Sequence, residues 1–204
     1  MMEQVVRWIN ENESPFGRPV RLNHDGRRSA VIAETAFRRA AVDAPLFEHD
    51  EAAERAASDL ISLLPRGQFG DVPLAESERL EVVLIQQNLL RLAGTLHGPV
   101  YFYPVPGCGV VSSAFGDMAD GDHLIEVKTV ARPFRGTDLR QVLIYCAMKY
   151  ASSQTVDEIS LYNPRRARLF RSSLDEIAFA VSGRAGVELV NDLVDAMVGF
   201  QVSA

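Results

Sequence analysis

Lysine is nearly absent from this chain: of its 21 basic residues only Lys128 and Lys149 are lysine, the rest being arginine. Cysteine is as scarce. Cys108 and Cys146 lie far apart and outside any Cys-x-x-Cys spacing, which excludes a disulfide framework and a zinc knuckle and leaves both as small buried hydrophobes. No apolar run approaches the roughly 18 residues that a membrane span needs, and the opening MMEQVVRWINENESPF has no apolar signal region, so a cytoplasmic protein with no membrane partner is expected. Repeats, low-complexity tracts, zinc fingers and helix-turn-helix signals are lacking as well. What remains is an ordinary globular composition, 47% hydrophobic and 24% charged over 204 residues, enough for one compact domain or a domain with a small helical extension.

The net charge of −6 argues at first against a nucleic-acid partner, but it is unevenly spread. Residues 127–171 hold nine Lys/Arg against three acids, a local +6, while the remainder holds 12 against 24, a local −12. Such asymmetry suits a phosphate-binding face on an acidic body. Arg132, Arg135, Arg165, Arg166 and Arg168 are the residues expected to grip nucleic-acid phosphates there, the last three in a hairpin NPRRARLFR.

Hydrophobic spacing predicts helices over 27–42, 49–64 and 74–94, the last ending at Gly94, with a Gly/Pro-punctuated linker over 65–73. Strand signals follow at 99–105, 109–119 and 123–131, then a helix that Asp138 can cap, a strand at 158–163, a returning strand RARLFR, and two C-terminal helices separated by SGRAG. The expected fold class is α/β (α+β): a mixed β-sheet core of helix-β-β-β-helix-β order flanked by helices, with residues 1–70 as a helical N-terminal extension and 71–204 as the main domain.

The stretch GDMADGDHLIEVKTV, residues 116–130, places four acids within ten positions and then one of the two lysines. Asp120-Gly121 signals a tight hairpin turn, which would put Ala119 opposite Leu124 and Asp117 opposite Glu126, with Cβ atoms about 5 Å apart. Two carboxylates at that separation can share one divalent cation. A two-residue loop keeps Asp117 on the same face as Glu126, and a three-residue loop would turn it away. Lys128, two residues beyond Glu126, shares its face, while Ile125 and Val127 point into the apolar layer. Mg²⁺ takes one or two protein carboxylates plus water and substrate phosphate, and a lysine supplies a compact point charge that arginine's broad fork does not. An EF-hand reading fails, because with Gly121 at the sixth position the first, third and twelfth would be Gly116, Met118 and Val127. Asp120 and Asp122 read as turn formers.

Asp117 followed by Glu126-Val127-Lys128, in this element order, resembles the PD-(D/E)XK nuclease superfamily, the restriction-endonuclease-like fold, over about residues 75–171. Gln141 and Tyr145 on the next helix are similar to the Gln-x-x-x-Tyr motif of its RecB-like branch; positions four apart share a helix face. Gly116 stands where the family pattern has proline, and His97 is the only upstream histidine offered as an extra metal ligand. The resemblance implies a Mg²⁺- or Mn²⁺-dependent nuclease hydrolysing phosphodiester bonds in DNA, with RNA open, acting in restriction, phage defence or repair beside a partner protein or as a homo-oligomer. Asp117 and Glu126 would hold the metal, Lys128 would orient water or stabilise the transition state, and Gln141 with Tyr145 would position the site. Glu81 is a further acid, either aimed at the metal or lying on the surface. An inactive adaptor of the same fold, docking protein partners or DNA, is the competing expectation.

Overall fold

The structure, a computed structural model, describes residues 2–22, 26–48, 50–64 and 73–202, with side chains to residue 199. The 65–73 linker falls almost wholly outside the described residues. The described chain forms helices α1 (Met2–Glu11), α2 (Ser29–Ala41), α3 (Glu51–Ser62), α4 (Glu76–Ala93), α5 (Gly136–Ala151), α6 (Leu174–Ser182) and α7 (Gly186–Val202). Its strands are β1 (Ser14–Pro15), β2 (Val100–Val105), β3 (Ala114–Asp120), β4 (His123–Val127), β5 (Glu158–Asn163) and β6 (Arg168–Ser173). None of these helices is long and apolar enough to cross a membrane.

Local signals set the helix ends. The Asp50 carboxylate accepts from the Ala53 N–H at 2.9 Å to open α3, and the Glu78 carboxylate accepts from the Ala75 N–H at 2.7 Å to open α4. At α5, Asp138 accepts from the Arg135 N–H at 2.9 Å, so the acid expected as a cap reaches back to the residue before the helix.

The strands make one sheet in the order β1-β6-β5-β4-β3-β2. The pair β4–β5 is parallel and the other four are antiparallel, so the expected mixed sheet and helix-β-β-β-helix-β core order, α4 through β5, are both present. A parallel pair needs a crossover, which α5 supplies. Helices cover both faces. On one, α5 packs with α1, α6 and α7 over Leu124, Ile159 and Leu161; on the other, α2 and α4 close over Met118, Ile125 and Tyr162. Central β4 is covered on both sides, which is why its first four residues are buried although two of them are polar.

The N-terminal segment does not stand apart from this core. Val5 and Ile9 of α1 enter the α5 layer, α2 packs on α4, and β1 extends the sheet along β6 through Ser14↔Leu169. A close approach fixes the chain after β1: a side chain at Gly17, whose φ is +99°, would lie 2.3 Å from the Asn88 Oδ1. Asn88 accepts there from the Arg18 N–H at 3.0 Å and donates to the Pro164 carbonyl at 2.7 Å, joining the N-terminal segment, α4 and the β5–β6 turn.

Candidate functional site

The β3–β4 hairpin closes with Asp120 opposite His123, leaving Gly121 and Asp122 as a two-residue turn. Ala119 pairs with Leu124 and Met118 with Ile125, a register that carries Asp117 opposite Glu126. Beyond the last ladder pair Asp117 uses its side chain, its Oδ2 accepting from the Val127 N–H at 2.6 Å. Glu126 is 1% exposed, and its Oε1 takes the Lys128 ammonium in a short ion pair. Lys128 also donates to the Gln141 Oε1 at 2.9 Å, and the Gln141 Nε2 donates to the Tyr145 hydroxyl at 3.2 Å. The chain Glu126–Lys128–Gln141–Tyr145 thus joins β4 to α5. The Lys128 backbone N–H, donating to the Tyr162 carbonyl at 2.8 Å, fixes its stem against β5.

These groups share one electrostatic environment. Burial, with the Asp117 carboxylate next in size, pushes the Glu126 carboxyl up to about 8. Asp117 is also raised, by burial first, against the opposing Val127 N–H and Lys128. Burial works against the Lys128 ammonium, but the Glu126 and Asp117 charges outweigh it and hold its pKa above the ordinary value. Lys128 is therefore a fixed cation and not a proton acceptor. One further atom stands out: no N–H or hydroxyl donor reaches the buried Glu126 Oε2. A buried carboxyl oxygen must be satisfied, here either by a proton shared with Asp117, to which the raised Glu126 side chain is hydrogen-bonded, or by a bound cation.

A buried and a half-buried carboxyl facing each other fit a hard divalent cation. Among the described residues no three His, Cys, Asp or Glu side chains cluster as a metal site, so such an ion would complete its shell with water and substrate oxygen. That pattern suits Mg²⁺ or Mn²⁺ and not a closed structural zinc centre.

Tyr103 belongs to the site although nothing in the sequence singled it out. Phe102, at φ +52°, breaks the alternation of β2: the flanking Tyr101 packs on the α2–α4 side, while Tyr103 turns to the α5 side. The Tyr103 ring then lies across Gly116, where an added Cβ would meet its Cζ at 2.0 Å and its hydroxyl at 2.2 Å. Glycine before the aspartate makes room for this ring. Burial, then the Glu126 charge, raises the Tyr103 phenol, so it stays neutral beside the carboxylates. Lys149 sits over the same ring, 5.5 Å from its centroid. The second lysine is thus 8% exposed against the wall of the site.

Other expected residues lie elsewhere. His97 is exposed at the far end of β3, where the Asp120 carboxylate accepts from the His97 and Gly98 N–H groups at 2.9 Å each; it does not approach Glu126. Glu81 is not on the surface. It is fully buried and accepts from the Arg165 Nη1 at 2.7 Å. Arg165, expected on an open phosphate-binding face, is 3% exposed in that pair, because a buried carboxylate needs a buried cation. Arg166 is engaged by both Glu13 oxygens at 2.9 and 3.1 Å, with Arg168 at 3.7 Å from the same carboxylate. Arg132 turns back to Asp138 in a two-pronged bond of 2.6 and 3.0 Å, bracing the start of α5. Of the five, Arg135 is exposed.

The class these features define is an α+β chain whose mixed sheet carries a carboxylate pair and a lysine beneath a crossover helix. Compared with known proteins, the chain matches no family model, no curated protein and no solved structure.

Proposed function

We propose that this protein is a metal-dependent nuclease that hydrolyses phosphodiester bonds in DNA. The observation that carries the reading is the buried Glu126 carboxyl facing Asp117, on the same sheet face as a lysine held by Glu126 and Gln141. A cation bound to this pair would acidify a water and polarise the scissile phosphate.

The chain's own groups do the rest. The Val127 N–H fixes the Asp117 carboxylate, so its second oxygen is presented without rotamer search. Gln141, itself anchored by Tyr145, holds the Lys128 ammonium where charge develops on the phosphoryl oxygens as a water–phosphorus bond forms and the ester P–O bond breaks. Preorganised charge in a partly dry site is worth more than in water. The Tyr103 ring and the buried face of α5 exclude bulk water from the back of the site. The biological setting this supports is cytoplasmic nucleic-acid processing, such as restriction, defence or repair, with DNA and a protein partner or a second copy of the chain.

The test is cleavage of linear, circular and single-stranded DNA, and of RNA, with Mg²⁺, Mn²⁺ or EDTA, alongside folded Lys128→Ala and Asp117→Asn proteins. Metal-dependent cutting lost in both variants is the expected result. No cutting under any condition would overturn the nuclease and leave the inactive adaptor in its place.

A further inference from the structure

Both lysines of the chain reach the carboxylate site, by different routes. Lys128 comes from the sheet and is matched by Glu126. Lys149 comes from α5, where Gln141, Tyr145 and Lys149 stand four residues apart and share one helix face. Gln141 and Tyr145 belong to the hydrogen-bonded chain that holds Lys128, and Lys149 continues their row by one more turn. Its ammonium lies over the Tyr103 ring, 5.5 Å from the centroid. That ring lies across Gly116, the residue before Asp117, and is close enough to Glu126 and Asp117 for both charges to act on its phenol.

What Lys149 lacks is a counter-charge. Among the described residues no carboxylate pairs with it and no acceptor takes a hydrogen bond from its ammonium, although the residue is 8% exposed. The Tyr103 ring offsets part of that burial through its π face but carries no charge. The stem is what is covered; the ammonium at its tip keeps contact with solvent. A covered cation without an acid costs the fold stability, and its open tip is placed to take an anion from outside the chain. In a chain that otherwise uses arginine, lysine here supplies a compact charge on a slender stem that fits between α5 and the Tyr103 ring. The α-carbons of Gln141 and Lys149 are about 12 Å apart along the helix, and a lysine side chain leans back toward the helix N-terminus, toward Tyr145 and the carboxylates.

We propose that Lys149, seated on Tyr103, is a second phosphate-binding residue of the site and takes the charge of a phosphodiester flanking the one presented to Asp117 and Glu126. The choice of anion rests on the nuclease reading, and the subsite deepens it by setting where the strand runs, along the α5 face past Tyr145. The contact is with backbone charge alone, so it positions the strand without reading its sequence.

The experiment compares the whole protein with Lys149→Met, which keeps the stem and removes the charge, and Lys149→Arg, which keeps the charge. Binding of fluorescein-labelled DNA is followed by anisotropy in EDTA over a salt series, so that no cleavage intervenes. Lys149→Met should weaken binding about tenfold near 0.1 M salt and lower the slope of log affinity against log salt by roughly 0.7 to 0.9, the share of one phosphate. Lys149→Arg should keep the slope. Removing a covered, unpaired charge should leave the melting temperature of Lys149→Met unchanged or raised, which a packing role would not. A readout without any variant is acetylation of the wild type followed by mass spectrometry, in which DNA should protect Lys149. No binding by the wild type, an unchanged slope in Lys149→Met, an equal loss in Lys149→Arg, or the same labelling with and without DNA would overturn the subsite. A Lys149 contribution seen only with 5′-phosphorylated strands would keep the subsite and make it the seat of a strand end. Metal-dependent cutting with unchanged KM in Lys149→Met would defeat the subsite alone. Binding that depends on Lys149, without cutting under any metal, would defeat the nuclease alone.

Discussion

At the turn of the β3–β4 hairpin, Asp120 accepts two backbone N–H groups, which hold its carboxyl below the ordinary range, and nearby Glu158 is lowered by its pairing with Arg171. Three residues back along the same strand, half-buried Asp117 faces buried Glu126, and both are raised. Of the four acids within ten positions, Asp120 is thus tied into the turn by two backbone N–H groups, while Asp117 and Glu126 face each other at the other end of the hairpin. The number of acids does not define the site. What distinguishes its two members is that they face each other with both carboxyls raised, together with one shared cation, Lys128.

Buried acidity alone is no signature either, as Glu81 demonstrates. It is as deeply buried as Glu126 but is held by the Arg165 guanidinium. The largest expected effect sharpens this contrast: Glu81→Gln leaves the Arg165 charge buried and should cost about 3–5 kcal/mol in a chemical-denaturation measurement. Next, Asp117→Asn and Lys128→Ala should lower the metal-dependent cleavage rate about 10²–10³-fold while Asp120→Asn leaves it unchanged. Loss of activity in Asp120→Asn instead would erase the division between the two ends of the hairpin.

Titration marks Glu126 further. With its folded pKa raised to about 8, above the unfolded value, Glu126 contributes stability that is fully present below the ordinary carboxylate range and lost as pH rises through about 8. The metal-free protein should therefore melt at falling temperature over that window, and Glu126→Gln should flatten the dependence. Added Mg²⁺ should restore stability most at the alkaline end, since a ligating carboxylate must be deprotonated. Smaller still is Gly116→Ala. The Tyr103 ring must shift to admit the methyl, at a cost of about 1–3 kcal/mol by thermal melting. Asp120→Asn weakens two backbone contacts at a partly exposed turn and should cost about 1 kcal/mol.

The geometry of the carboxylate pair was legible because it is local. A turn signal at Asp120-Gly121 and a period of two place Asp117, Glu126 and Lys128 on one face, and a four-residue helical spacing places Gln141 and Tyr145 on another. The remainder depends on contacts between distant segments. Tyr103 enters the site only because Phe102 reverses the strand's alternation, and a β-branched and aromatic run such as VYFYPV carries no sign of that. The arginines of 163–171 read as a phosphate face because their partners, Glu13 and Glu81, are some 80 to 150 residues away in sequence. Strand β1, two residues long and containing Pro15, has no periodicity to detect; its pairing with β6 is a tertiary event.

The most direct test is a Mn²⁺ titration of the metal-free protein followed by electron paramagnetic resonance, with wild type, Asp117→Asn and Asp120→Asn run side by side. One bound ion in wild type and in Asp120→Asn, and none in Asp117→Asn, is the predicted result. Equal binding in all three, or none in wild type, would contradict the assignment of Asp117 and Glu126 as the cation site.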